Sequence, residues 1–334
     1  MAGLNGVPPW IARQRERLLR QRGHAWLLQG PSGLGQYALA LELARAWLCD
    51  APGAQGACGQ CASCHAIDVR AHTDLFVLMP ESLMLELDWP LGEKAQEELD
   101  EKKRKPSREI RVDAMRDAVE FAQRTSGRGR GKVVLVYPAE RMNNVTANTL
   151  LKTLEEPPGD LRFVLASESA HQLLPTIRSR CQAHTMEWPP EGEAIAWLDA
   201  SEVPAKEAAA LLRNAGGRPE DAMALHRAGR SAGQLPGLPR ALARGDATAF
   251  SDWAPAEIVS FLQRICHDLL AVKAGGEPRF FRREDLPQPG SWAALTQWAR
   301  ELSRTARTAE HPFNVPLMVE SLVSQARSAL NSAH

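Results

Sequence analysis

No apolar stretch in this chain is long enough to cross a membrane: the longest, near Ala38–Leu48, is broken by Glu42 and Arg45. The segment from Met1 to Arg22 lacks the apolar core of a secretory signal, because charges fall among its short apolar pieces. Net charge is missing too, with Lys+Arg 40 balancing Asp+Glu 40. That balance argues against a chain that binds polyanions over its whole surface, yet leaves room for a local basic face. Cysteines number six, four of them clustered, which suits a reducing compartment and a metal rather than a disulfide framework. The expected location is therefore cytoplasmic. No internal repeat is present. What remains is ordinary globular composition, 334 residues with 44% hydrophobic and 24% charged, enough for two or three domains.

The chain is organised around Gly30-Pro-Ser-Gly-Leu-Gly-Gln-Tyr37. An apolar run, Ala25–Leu28, precedes it, and a helix-period stretch, Leu39–Leu48, follows. Strand, glycine-rich turn and helix form the setting of a phosphate-binding loop, whose backbone N–H groups and helix N-terminus cradle an anion. Gly30, Gly33 and Gly35 supply the turn, but the pattern G-x-x-x-x-G-K-[ST] then fails. Gln36 stands where a lysine should reach the β- and γ-phosphates, and Tyr37 where a hydroxyl should ligate Mg²⁺. A neutral amide cannot supply that charge. The other half of an ATPase site belongs at the end of the strand Lys132–Tyr137, where an Asp–Glu pair would hold metal and polarise water. Tyr137 and Pro138 stand there instead, and Glu140 reads as a solvent-exposed loop carboxylate.

Alternating strands (Ala25–Leu28, Asp74–Met79, Lys132–Tyr137, Arg162–Ala166) and helices (10–22, 39–48, 110–124, 148–154) predict a parallel three-layer α/β sheet. Leu174–Arg180 reads as a short helix or turn. The charge-dense Glu81–Arg108 reads as a solvated loop or frayed helix, its basic residues interrupted by acidic ones. After Trp188-Pro189-Pro190 the chain is helical, with a Gly/Pro-rich linker at Gly229–Pro239. Ile258, Phe261, Leu262, Ile265, Leu269 and Leu270 form one apolar stripe, and Trp292–Trp298 reads as helix packing.

Cys49, Cys58, Cys61 and Cys64 fit a closed tetrahedral site for structural zinc, in a loop spanning 49–65. A ferredoxin-type cluster would need a cysteine at 68, where Asp68 stands, and His65 is the one substitute ligand at hand.

His24–Gly35, Ala139-Glu-Arg-Met-Asn143, Ala147–Pro158 and Thr176-Ile-Arg-Ser-Arg-Cys181 together resemble the clamp-loader branch of AAA+ proteins; the tail Phe313–Leu322 does so more thinly. The cysteine module resembles that of the bacterial members. The resemblance implies an AAA+ α/β domain over 1–187 with helices on both faces of a parallel sheet, a small helical lid over 188–230 and an all-α collar over 231–334. It also implies that Arg180, in Ser179-Arg180-Cys181, points into a neighbouring subunit's ATP as an arginine finger, with Arg178 a weaker candidate. Ser167 takes the place of the family's sensor threonine, and Glu220, in Gly217-Arg-Pro-Glu-Asp-Ala222, that of an arginine facing the nucleotide.

The positions that serve the chain's own nucleotide are lost and the one that serves a neighbour is kept. No ATP is expected in its own site. The expected role is a non-hydrolysing clamp-loader subunit with gamma/tau and delta as neighbours, meeting the sliding clamp and primed DNA through the assembled ring, with no membrane partner. Two readings compete. One is an ATPase in which Lys132 or Arg141 replaces the missing lysine. The other is a stand-alone zinc-dependent DNA binder, against which Cys58–His65 offers no Lys or Arg.

Overall fold

Four apolar runs and one polar run become five parallel strands: β1 (Ala25–Gln29), β2 (Leu75–Leu78), β3 (Lys132–Val136), β4 (Leu161–Ser167) and β5 (Gln182–Thr185), in the order β2-β3-β4-β1-β5. The computed structural model describes residues 6–309 and 314–332, so residues 1–5 and Phe313 of the tail motif lie outside the described residues. Two compact units divide between Glu193 and Ala194.

Strands covered on both faces are apolar at successive positions, and β3 is buried from end to end. Leu27, Val134, Val136, Phe163 and Leu165 point to one face. There they meet Met115 and Ala118 of one helix (Val112–Gln123) and Leu150 and Leu154 of another (Asn144–Glu155). The helix Gln36–Leu48 packs against β3 and β4 on the alternate side. Each fully buried Leu or Phe contributes about 1.5–3 kcal/mol. This is a parallel α/β sheet covered by helices on both faces. In register, Gln29 pairs with Ser167 and Leu78 with Val136, so the segments after β1, β2, β3 and β4 all emerge at one end.

In chain order the helices of this unit are α1 (Pro9–Leu19), α2 (Gln36–Leu48), α3 (Ala62–Asp68), α4 (Glu81–Glu86), α5 (Glu93–Asp100), α6 (Val112–Gln123), α7 (Asn144–Glu155) and α8 (Pro175–Arg178). Two readings change. β5 was not expected, because Gln182-Ala-His-Thr185 is polar and only His184 is buried. Residues 81–108 are more than a solvated loop. Glu81 is buried, its carboxylate held by the fork of Arg104, whose Nη2 lies 2.8 Å away, and by Ser107 N–H at 2.8 Å. Burial alone would raise the pKa of Glu81; the Arg104 contacts outweigh it and lower it.

The second unit is largely helical: α9 (Glu191–Ser201), α10 (Ala205–Asn214), α11 (Pro219–Arg227), α12 (Leu238–Arg244), α13 (Pro255–Lys273), α14 (Trp292–Ala306) and α15 (Val315–Leu330). Ile258, Phe261, Leu262, Ile265 and Leu269 lie in its core, with Leu270 at the margin. Trp298 is buried as packing while Trp292 is exposed. Residues expected as lid and as collar share this one core, Leu198 and Leu211 with Leu262 and Leu322.

The stretch Gly229–Pro239 is not a loose linker. Arg230 is buried, its guanidinium 2.6 Å from Asp252 and 4.2 Å above the Trp253 ring, and α12 begins at Leu238. Asp268, fully buried, accepts the N–H groups of Arg279, Phe280 and Phe281 at 2.8, 2.8 and 2.9 Å. Asp268→Ala orphans three donors and is expected to cost about 3 kcal/mol or more, seen in denaturant unfolding followed by near-UV dichroism.

Candidate functional site

The turn expected as a phosphate loop joins β1 to α2 through left-handed glycines. Gly35 caps α2 at φ 93°, and Gly33 also has positive φ, conformations that only glycine adopts without strain. At Gly30 a Cβ would sit 2.9 Å from that of Met186. Within this frame the loop is closed by its own side chains. Gln36, buried to 1% exposure, donates through Nε2 to the carbonyls of Gly30 (2.9 Å) and Pro31 (2.7 Å). Trp10 of α1 donates through Nε1 to Leu34 O at 3.2 Å.

Tyr37 and Tyr137 are the chain's only two tyrosines, and they stack on one another, ring centroids 5.4 Å apart and 24° from parallel. From the sequence, one was expected in the place of a metal-binding hydroxyl and the other in that of a metal-binding carboxylate. Both phenols are engaged. Trp89 Nε1 donates to Tyr37 Oη at 2.7 Å, and Tyr137 Oη donates to Glu168 at 2.8 Å. Burial pushes the Tyr37 phenol up from its ordinary pKa, so it stays neutral. Trp89 lies under the guanidinium of Arg70, 4.6 Å from its ring. The charge-dense segment thus supplies an indole that packs on the loop, a contact no local sequence signal announces.

Glu140, expected as a free surface carboxylate, is half-buried and accepts Glu168 N–H at 3.0 Å. Ser167 is fully buried and its hydroxyl accepts Ser169 N–H. Pro138 follows β3 beside Tyr137. Glu220 is exposed in the first turn of α11, where an acidic residue suits the helix dipole. Lys132 turns away from the loop: it opens β3 at the sheet's amino end, where its ammonium donates to the carbonyls of Phe121, Ala122 and Arg124 at the end of α6. Arg141 is exposed after β3.

Arg180 follows α8 on the turn before β5. Its Nε and Nη2 donate to one Glu155 oxygen at 3.1 and 2.9 Å, and Nη1 donates to Thr176 O at 3.1 Å. The guanidinium remains about a third exposed. Arg178, two residues earlier, is exposed.

All four sulfurs of Cys49, Cys58, Cys61 and Cys64 lie within 4.8 Å of one another. Cys49 and Cys61 are 3.8 Å apart, as are Cys49 and Cys64. A tetrahedron of bonds about 2.3 Å long sets its sulfurs about 3.8 Å apart, so the donor set fits a metal of zinc's preferences. Backbone N–H groups of Gln60 and Cys61 pull the Cys58 thiol down to about 6, whereas burial pushes Cys49 up and Cys64 to about 12. His65 is exposed and outside this group.

Beneath the sulfurs a polar chain ties the module to the sheet. Ser63 donates to Asp50 at 2.8 Å, and His72 Nε2 lies 3.2 Å from the Ser63 hydroxyl. Asp74 N–H donates to His72 Nδ1 at 3.0 Å, which places the His72 proton on Nε2. The Asp74 carboxylate in turn accepts Ser126, Gly127 and Arg128.

A family model described as DNA polymerase III, delta subunit, matches residues 14–189. The chain is similar to DNA polymerase III subunit delta' of Pseudomonas aeruginosa, 41% identical over 208 residues, 62% of this chain and 56% of that protein. It is similar to subunit delta' of Escherichia coli K12, 34% identical over 223 residues, 65% of this chain and 60% of that one. It also resembles subunit tau of Escherichia coli K12, 31% identical over 158 residues, 47% of this chain and 20% of that protein. The matches to the two delta' relatives thus span somewhat more than half of their length. On the family match and these relatives, the chain belongs to the DNA polymerase III delta-subunit family, with the delta-prime subunits.

Proposed function

We propose that this chain is the non-hydrolysing subunit of a DNA polymerase III clamp loader. It sits in the ring beside gamma/tau and delta, supports ATP-driven placement of the sliding clamp on primed DNA, and lends Arg180 to the adjoining gamma/tau subunit's ATP. The observation that carries this reading is the Tyr37–Tyr137 stack. Two aromatic rings fill the positions that a hydroxyl and a carboxylate need for Mg²⁺, and Gln36 spends its amide on the loop's own carbonyls. Phosphoryl transfer depends on charge placed at the phosphates, and this loop supplies none from the lysine position.

Arg180 supports the other half of the reading. Arginine suits a finger because its charge is permanent and its planar fork matches phosphate oxygens. Here it stands on a fixed turn, partly exposed, on a partner from which it can be transferred. The cysteine module carries a structural zinc through Cys49, Cys58, Cys61 and Cys64; a closed thiolate site leaves no position for substrate. The competing ATPase reading loses its main surrogate, since Lys132 caps α6 at the sheet end opposite the phosphate loop.

The test is ATP turnover by the purified chain, alone and mixed with gamma/tau and delta. Alone, it is expected to release no more phosphate than a Gln36→Ala variant; mixed, clamp- and DNA-stimulated turnover rises above that of gamma/tau with delta. Turnover by the chain alone above that background overturns the reading.

A further inference from the structure

At the end of the sheet opposite the phosphate loop lies a cavity of about 540 Å³. Arg20 and Arg22 reach it from the end of α1, Arg130 from the loop before β3, and Arg162 from the start of β4. No carboxylate lines it, and among the described residues none of these four guanidiniums forms an ion pair. In a chain whose acids and bases balance at 40 each, four guanidiniums without an ion pair around one hollow that no carboxylate lines form a local charge excess. Trp47 adds an aromatic wall. It is half-buried, with the Arg162 guanidinium 5.4 Å from its ring centre, within cation–π range. The turn at Gly53, from the cysteine module, closes the rim.

We infer that this cavity binds single-stranded nucleic acid, with the arginines on successive phosphates and Trp47 beside a base. Guanidinium forks match phosphate oxygens, and an aromatic face accepts any base, so the site is indifferent to sequence. A hollow of about 540 Å³ has room for a phosphodiester with its neighbouring base. An acidic peptide would satisfy the charges but gives no use to the Trp47 ring. This inference stands apart from the finger reading: it concerns the isolated chain and needs no partner subunit.

The experiment is fluorescence anisotropy of a labelled oligo-dT against the purified, zinc-loaded chain from 50 to 200 mM salt. With four phosphates neutralised, the log–log slope is about −2.8 and affinity falls about 50-fold across that range. Arg20→Gln with Arg130→Gln changes two exposed side chains and is expected to halve the slope, to about −1.4, leaving a fall of about 7-fold. Trp47→Leu is expected to weaken binding about fivefold or more with the slope unchanged. Arg116→Gln with Arg124→Gln, which removes the same charge from the surface of α6, is expected to leave the native slope. Native slope and affinity in the Arg20/Arg130 variant overturn the inference. So does displacement of the oligonucleotide by poly-glutamate at equal charge concentration, which would reassign the cavity to an acidic polypeptide.

Discussion

Arg180→Ala in a loader reconstituted from this chain, gamma/tau and delta is expected to slow hydrolysis at the adjoining ATP by about 10³-fold or more, the range known for arginine fingers supplied from a second chain. Steady-state turnover then drops to what the remaining sites deliver. The expectation rests on how Arg180 is held. Two of its donors share one Glu155 oxygen and a third meets Thr176 O, so the fork is already aimed before any neighbour arrives. The pair is largely open to water, which makes the Glu155 contact weak and exchangeable for a phosphate. Arg180→Lys keeps the charge but loses the fork, and should recover only a small part of the rate. Gel filtration of the same mixtures separates the outcomes. Unchanged turnover in an intact complex would reduce Arg180 to a surface charge that caps its own turn. A complex that fails to form would make it an assembly contact.

Stripping the metal should have the largest structural effect. Four thiolates around zinc contribute on the order of 10–16 kcal/mol in small peptides, far more than the few apolar contacts of a glycine-rich loop. Chelation, or Cys64→Ser at the buried ligand, is expected to open residues 49–65 to proteolysis. The Ser63–Asp50 and Ser63–His72 links should then loosen, while the helical unit keeps its unfolding transition. Cys58→Ser, at the exposed corner, should act more mildly. Zinc content and the positions of limited cleavage measure this directly. A metal-free chain with a protected loop would show that the four cysteines only pack.

Much of this architecture could be read from residues close together in sequence. Ala25–Leu28, Val133–Val136 and Phe163–Ala166 are apolar at successive positions, as fully covered parallel strands must be, and the cysteine spacing announced its own cluster. Misread were elements defined by partners far away. β5 carries Gln182, His184 and Thr185 because an edge strand is covered on one side only, so it has no apolar run to betray it. Glu81 is buried because Arg104, 23 residues on, neutralises it, and Arg230 because Asp252 and Glu257 do the same. From the sequence, Gln36, Tyr37 and Tyr137 are expected to be wrong for ATP. It does not show that Tyr37 and Tyr137, a hundred residues apart, have become each other's packing partner, or that Trp89 joins them.

If the proposed role holds, that partnership makes the loss a ratchet. Tyr37→Thr alone would leave Trp89 Nε1 without its acceptor and a hollow against the Tyr137 ring, and Tyr137→Asp alone would set a bare carboxylate under an aromatic face beside Glu168. If the subunit is silent as proposed, neither single tyrosine reversal restores turnover, and each costs stability. A lineage at this point keeps such a subunit for what it does for its neighbours.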